Sequence, residues 1–336
     1  MLVTRKFSNI LTRSRTIKSS VRLFQVCVMG GASEIGQAVS LLLRTEPAVS
    51  KLVIHDTWEA APGVVIELSH IPANSTLKGY LGEVTMKQAL GSSDLVLLVG
   101  GLLKTPGVSD KACLDANMEF VKTVSSQIGR LSKMPFVGVV AEPLNSLVPM
   151  AAELMRNTGT FDGRKLFGVT TIDWIRAQTL FGTLHGMAPE ECFVPVICGH
   201  SNKTTVPLIS QSRPGANMTG TEIRKFVSEL QRYDEIVTQA KHGKSPTVSV
   251  AYSVLVFVQG ILAALSGQHA HVHAYIENND FGTSYFSGLV QVDSNGVKEM
   301  TRYTNHISEY ECQILEEALD QLRKDVATGK KILEVE

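Results

Sequence analysis

A chain of 336 residues that is 44% hydrophobic and 19% charged holds enough apolar material for two packed domains and is too apolar to be disordered. Basic and acidic residues number 32 each, but Arg5, Lys6, Arg13, Arg15, Lys18 and Arg22 fall in the first 24 positions, where there is no acid. The remaining 26 basic against 32 acidic residues argue against nucleic acid as a partner. The five cysteines (Cys27, Cys113, Cys192, Cys198, Cys312) are scattered, without metal-type spacing, which excludes a disulfide framework and a cysteine-based metal centre.

Residues 1–24 combine those cations with serine, threonine and the apolar Leu2, Val3, Phe7, Ile10 and Leu11, the profile of a mitochondrial transit peptide. An apolar run at 24–29 then meets a glycine-rich turn and a helical stretch over 35–44. Further apolar runs at 51–55, 94–99, 136–140 and 165–169 have the character of parallel strands covered on both faces. Longer amphipathic segments at 220–241 and 308–330 and an alternating run at 270–276 follow. The expected fold is α/β: a Rossmann doubly wound parallel sheet over residues 25–168, then a mixed α/β catalytic domain over 169–336. Residues 247–268 are uncharged and long enough to span a bilayer, but Ser249, Ser253, Gln259 and Gly260 favour a buried helix, so no membrane is expected.

Gly30, Ser33 and Gly36 fill the three slots of G-x-x-G-x-x-G between the first strand and the first helix, where a bare backbone and a helix N-terminus suit a pyrophosphate. Serine in the middle slot weakens the motif by crowding the phosphates. Asp56, 20 residues beyond Gly36 at the end of the second strand, suits a ribose 2′-hydroxyl and repels a 2′-phosphate, which favours NAD over NADP. His269, His271 and His273 alternate on a strand; a solvated strand face is the expected reading, and no metal site is assigned.

Residues 167–177 (FGVTTIDWIRA) and 194–200 (VPVICGH), continuing into Lys203 and Thr204, resemble the catalytic segments of malate dehydrogenases, mitochondrial type. The resemblance extends through residues 63–70 (GVVIELSH), 79–82 (GYLG) and 206–210 (VPLIS) and covers nearly the whole chain after the leader. It implies NAD-dependent interconversion of malate and oxaloacetate by a homodimer in the mitochondrial matrix. His200 would be the acid/base, Asp173 its carboxylate partner, and Arg176 the grip on the substrate carboxylate. Asn145 falls on the substrate side, with Asn117 and Glu142 on the cofactor side.

Three positions depart from that pattern. Lys104 and Asp110 stand where the family's mobile loop carries two arginines, and Glu142 stands where it carries an asparagine that hydrogen-bonds substrate. Lys104 and Arg176 are then offset by Asp110 and Glu142, whereas a dicarboxylate needs net positive charge. Asn202 and Pro246 are lesser departures. Two alternatives follow: a catalytically impaired family member with a structural or binding role, and a dehydrogenase of another 2-hydroxy acid, with Asp110 and Glu142 welcoming a cationic or neutral group.

Overall fold

The computed structural model describes residues 23–101, 107–215, 217–303 and 307–332, with Asp110 through its backbone only. The expected leader up to residue 22 therefore lies outside the described residues, as does Lys104.

The first half alternates strand and helix: β1 (Phe24–Met29), α1 (Glu34–Arg44), β2 (Val49–Asp56), α2 (Ala61–Ser69), β3 (Thr76–Leu81), α3 (Met86–Leu90), β4 (Leu95–Leu98), α4 (Asp110–Gly129), β5 (Phe136–Val139), α5 (Leu144–Thr158) and β6 (Leu166–Val169). All six strands are parallel, in the order β3-β2-β1-β4-β5-β6. Every residue of β1, β4, β5 and β6 is buried, as helices on both faces of a doubly wound sheet require.

The second half holds α6 (Thr171–His185), β7 (Val196–Cys198), β8 (Thr205–Pro207), α7 (Gly220–Gln231), α8 (Tyr233–Ala240), α9 (Thr247–Leu265), β9 (Ala270–Glu277), β10 (Tyr285–Asp293), β11 (Gly296–Met300) and α10 (Glu309–Lys331). Its strands pair antiparallel and join the first sheet where β9 runs beside β6, with Gly168 opposite Tyr275. Ser308 and Glu311 form a reciprocal capping box that starts α10.

Two expectations are revised. The amphipathic stretch over 220–241 breaks at Arg232 (φ −103°, ψ 8°) into α7 and α8, and beyond the break Tyr233 and Asp234 meet Arg176, whose guanidinium lies 5.4 Å from the Tyr233 ring centre. The alternating histidines do not share a solvated face. His269 and His271 are exposed, but His273 is buried and its ring stacks on Trp174 at 4.8 Å. With no polar partner for Nε2 among the described residues the charged ring is disfavoured, and burial lowers the His273 pKa to about 3. No metal-type cluster occurs among the described residues.

The uncharged segment folds as α9, which packs against α1, α6 and β9. By length and composition it is apolar enough to cross a membrane, but half of it is buried inside the protein.

Candidate active site

The glycine-rich turn crosses the C-terminal edge of the sheet between β1 and β4. Gly30 sits at φ +80°, and a Cβ there would lie 2.2 Å from Gly100 Cα; one on Gly36 would lie 2.2 Å from the Gly30 carbonyl oxygen. Only glycine permits this packing of turn, strand and helix. Ser33 takes the middle slot by turning inward. Its hydroxyl donates to the carbonyls of Gly30 (2.7 Å) and Val99 (3.0 Å) and accepts from Gly36 N–H, capping α1. The serine thus organises the turn, and its hydroxyl is directed into it. Asp56 braces the same turn by accepting from the backbone N–H of Ala32 (2.8 Å) and of Trp58 (3.0 Å).

A cavity of about 570 Å³ opens beside this turn, lined by Ile35 on one side and by the starts of α6, α8 and α9 on the other. Two helical facts place its first polar groups. Asp173 and Arg176, three residues apart, lie on one face of α6, and Asp173 falls in the first turn, where the helix dipole favours a carboxylate. Thr170 and Thr171 anchor that helix start to the sheet through the Ser287 hydroxyl (2.7 Å) and the His273 carbonyl (3.1 Å).

His200 arrives from β7. Cys198 at φ +87° turns the chain, a conformation that needs support in a residue with a side chain. The Thr204 carbonyl accepts from Gly199 N–H, and Asn145 Oδ1 accepts from His200 N–H at 2.9 Å. The imidazole is 12% exposed, with Nδ1 2.6 Å from Asp173 Oδ2 and Nε2 2.8 Å from Glu142 Oε1. It is therefore clamped at both nitrogens by carboxylates. Burial opposes its charged form, but the charges and hydrogen bonds of Asp173 and Glu142 outweigh that penalty and hold the pKa well above the ordinary 6.5.

Glu142 is itself fixed. Its second oxygen accepts from Leu144 N–H (3.0 Å), and its backbone carbonyl accepts from the fully buried Asn117 amide (2.6 Å). Asn117 thus holds the strand end that presents Glu142. Asn145 lines the cavity, yet its amide is committed to Thr204 Oγ1 and Asp325 Oδ2, both at 3.0 Å, so it positions the His200 loop. Arg176, 7% exposed, already donates to Asp234 at 2.5 Å.

Among the described residues, the cavity wall carries five carboxylates (Glu142, Asp173, Asp234, Glu235, Asp325) against Lys111, Arg176 and Lys203 and the histidine. Glu142 was expected at the site from the sequence; Asp234 and Glu34 were not. Glu34 opens α1 at the mouth of the glycine turn, exposed, with Oε2 3.4 Å from Thr247 Oγ1 at the start of α9. An acid directly after the middle slot of the glycine motif is a signal the sequence did contain. Nothing in the spacing links Asp234 to Arg176, 58 positions away.

Comparison with known proteins fits this arrangement. Residues 24–168 match the family model for the lactate/malate dehydrogenase NAD-binding domain, and residues 170–333 match its alpha/beta C-terminal domain. The malate dehydrogenase of Idiomarina loihiensis is 37% identical over 91% of this chain and 98% of its own length. This chain belongs to the lactate/malate dehydrogenase family.

Among solved structures, malate dehydrogenase from Cryptosporidium parvum superposes with a TM-score of 0.79 at 20% identity, covering 92% of this chain and 99% of that one. A lactate dehydrogenase of the same organism, solved with lactic acid and nicotinamide adenine dinucleotide, gives 0.78 at 18% identity, covering 93% and 98%. These superpositions establish a shared fold. Both branches of the lactate/malate dehydrogenase family resemble this chain, so the substrate has to be argued from the residues in its cavity.

Proposed function

We propose that this protein is an NAD-linked oxidoreductase of a small 2-oxo or 2-hydroxy acid, with malate and oxaloacetate as the reference pair. The observation that carries the reading is the 2.6 Å His200–Asp173 contact beside Arg176 in a cavity that reaches Ile35, the α1 residue next to Gly36 of the glycine-rich motif. The nicotinamide, when bound, exchanges the hydride. His200 moves the proton at Nε2, Asp173 fixes the Nδ1–H tautomer and stabilises the imidazolium, and Arg176 pairs with the substrate carboxylate. Oxaloacetate-dependent NADH oxidation by the full chain tests it: turnover lost in His200→Ala supports the reading, and turnover indifferent to that change contradicts it.

The catalytically silent reading also has a specific observation in its favour. Glu142 and Asp234 occupy the two groups, His200 Nε2 and Arg176, that a 2-oxo acid must reach. NADH binding without turnover of any 2-oxo or 2-imino acid would favour a binding or structural role.

The glycine turn and Asp56 fit a dinucleotide, since Asp56 retains lone pairs for ribose hydroxyls and its charge disfavours a 2′-phosphate. Glu34 opposes the pyrophosphate at the same helix N-terminus. Glu34→Ala is therefore expected to tighten NADH binding by about tenfold, roughly 1.4 kcal/mol, in a fluorescence titration. Unchanged affinity would mean that its carboxylate swings clear.

A homodimer and a matrix location complete the proposal. Leu41 on α1, Ile66 on α2 and Val248 and Tyr252 on α9 are exposed, on helices packed around α1, and α9 has no charge with which to face water. Light scattering is expected to give twice the chain mass, and Tyr252→Arg with Val248→Glu is expected to halve it. The basic, acid-free first 24 residues support import.

A further inference from the structure

The sign of the charge around His200 bears on what kind of double bond this cavity reduces. When a carbonyl takes up a hydride, negative charge develops on its oxygen, and a fitting site surrounds that oxygen with cations or N–H donors. Here Glu142 Oε1 lies 2.8 Å from the nitrogen beside which that oxygen would sit, and five carboxylates face three permanent cations across the described cavity wall. A carbon–nitrogen double bond has the opposite demand. It is reduced as a cation, and its product, an ammonium, remains cationic, so an adjacent carboxylate favours the reacting species.

Resting on the NAD-linked oxidoreductase part of that reading and replacing its carbonyl substrate, we propose that the substrate of this protein is a 2-imino acid, a carboxylic acid with C=N at the 2-position, and that Glu142 is the residue that selects it over a 2-oxo acid. The carboxylate pairs with Arg176 as Asp234, whose side chain is 57% exposed, swings outward. The imine nitrogen enters between His200 Nε2 and Glu142 Oε1. His200 transfers its Nε2 proton to that nitrogen, giving an iminium ion that Glu142 pairs with, while Asp173 retains Nδ1–H. The iminium carbon then receives a hydride from the reduced nicotinamide, and the C=N π pair becomes the nitrogen lone pair. His200 regains a proton from water, and the amine takes another on release. The net change is imine plus NADH plus one proton giving amine plus oxidised nicotinamide, before protonation of the product.

The test uses the full chain and Glu142→Gln, which keeps shape and removes charge. NADH binding is first measured by fluorescence for both proteins. NADH oxidation is then followed with the cyclic imine Δ1-pyrroline-2-carboxylate and with oxaloacetate. Calorimetry with L-proline in the presence of NADH, a non-reacting pair, reads recognition without turnover.

The proposal expects the natural protein to prefer the imine by more than about tenfold in kcat/KM and to bind proline, and Glu142→Gln to lose about tenfold or more on both while gaining on oxaloacetate. NADH binding with no imine reduction and no proline binding overturns the proposal while leaving the oxidoreductase reading standing. So does imine turnover that Glu142→Gln leaves unchanged. Failure of the natural protein to bind NADH at all removes the oxidoreductase reading, and this proposal with it.

Discussion

Glu142→Asn is expected to raise kcat/KM for oxaloacetate by about a hundredfold or more, read as NADH oxidation by the full chain. The substrate carbonyl must take the hydrogen on His200 Nε2, and Glu142 Oε1 holds that hydrogen at 2.8 Å. Breaking a charged hydrogen bond costs about 1.5–3 kcal/mol. The displaced carboxylate then remains near a substrate carrying two negative charges. Like charges 4 Å apart repel by about 4 kcal/mol where solvent partly screens them, close to a thousandfold in rate, and some of that is relieved by rotation of the side chain.

Asparagine removes the charge and offers an N–H. Because Asp234 blocks Arg176 in the same way, adding Asp234→Asn should lower KM by about a further tenfold. That substitution frees a charge that substrate would otherwise have to win in competition. A single substitution at Glu142 that changes nothing would show that its side chain leaves His200 whenever a 2-oxo acid binds.

The second large effect concerns His200 and pH. Its pKa is held well above 6.5 by Asp173 and Glu142 against the opposing effect of burial. In the reductive direction the donor is the imidazolium, so the rate should stay level through neutral pH and fall only on the alkaline side. In the oxidative direction the acceptor is the neutral ring, so turnover should rise as pH increases through the raised His200 value. Glu142→Asn removes one of the two anions and should move both limbs toward lower pH. Asp173→Asn should cost about 10³–10⁴-fold in kcat, by analogy with other buried His–Asp pairs, since it removes the anion and permits the wrong tautomer.

Stability follows the same sign. A raised folded-state pKa means that the His200 contribution is fully present below its unfolded value near 6.5 and is lost as pH rises through the folded value. Profiles identical in the natural protein and Glu142→Asn would contradict the clamp.

The parallel sheet was readable because buried strands leave unbroken apolar runs, and residues 24–29, 94–99 and 136–140 coincide with β1, β4 and β5 within a residue or two. The His200–Asp173–Arg176 set was readable by resemblance, and two of its members lie three residues apart on one helix turn. What remained hidden depends on contacts distant in sequence. Asp234 reaches Arg176 only because the helical run breaks at Arg232, and amphipathic periodicity continues across that break. His273 alternates as a surface residue would, yet the opposing Trp174 side chain from α6 covers it. The inward turn of Ser33 was likewise invisible, because the motif names a slot and its hydrogen bonds go to Gly30, Gly36 and Val99.

The central claim is that the acid/base histidine is held charged between two carboxylates, and nitrogen NMR of the full chain with labelled histidine reads this directly. The His200 ring, assigned by its loss in His200→Ala, should titrate well above the ordinary imidazole value of 6.5, with both nitrogens protonated below that titration, and Glu142→Asn should shift it to lower pH. A His200 ring in the natural protein that titrates near 6.5 and is unmoved by Glu142→Asn would contradict the clamp.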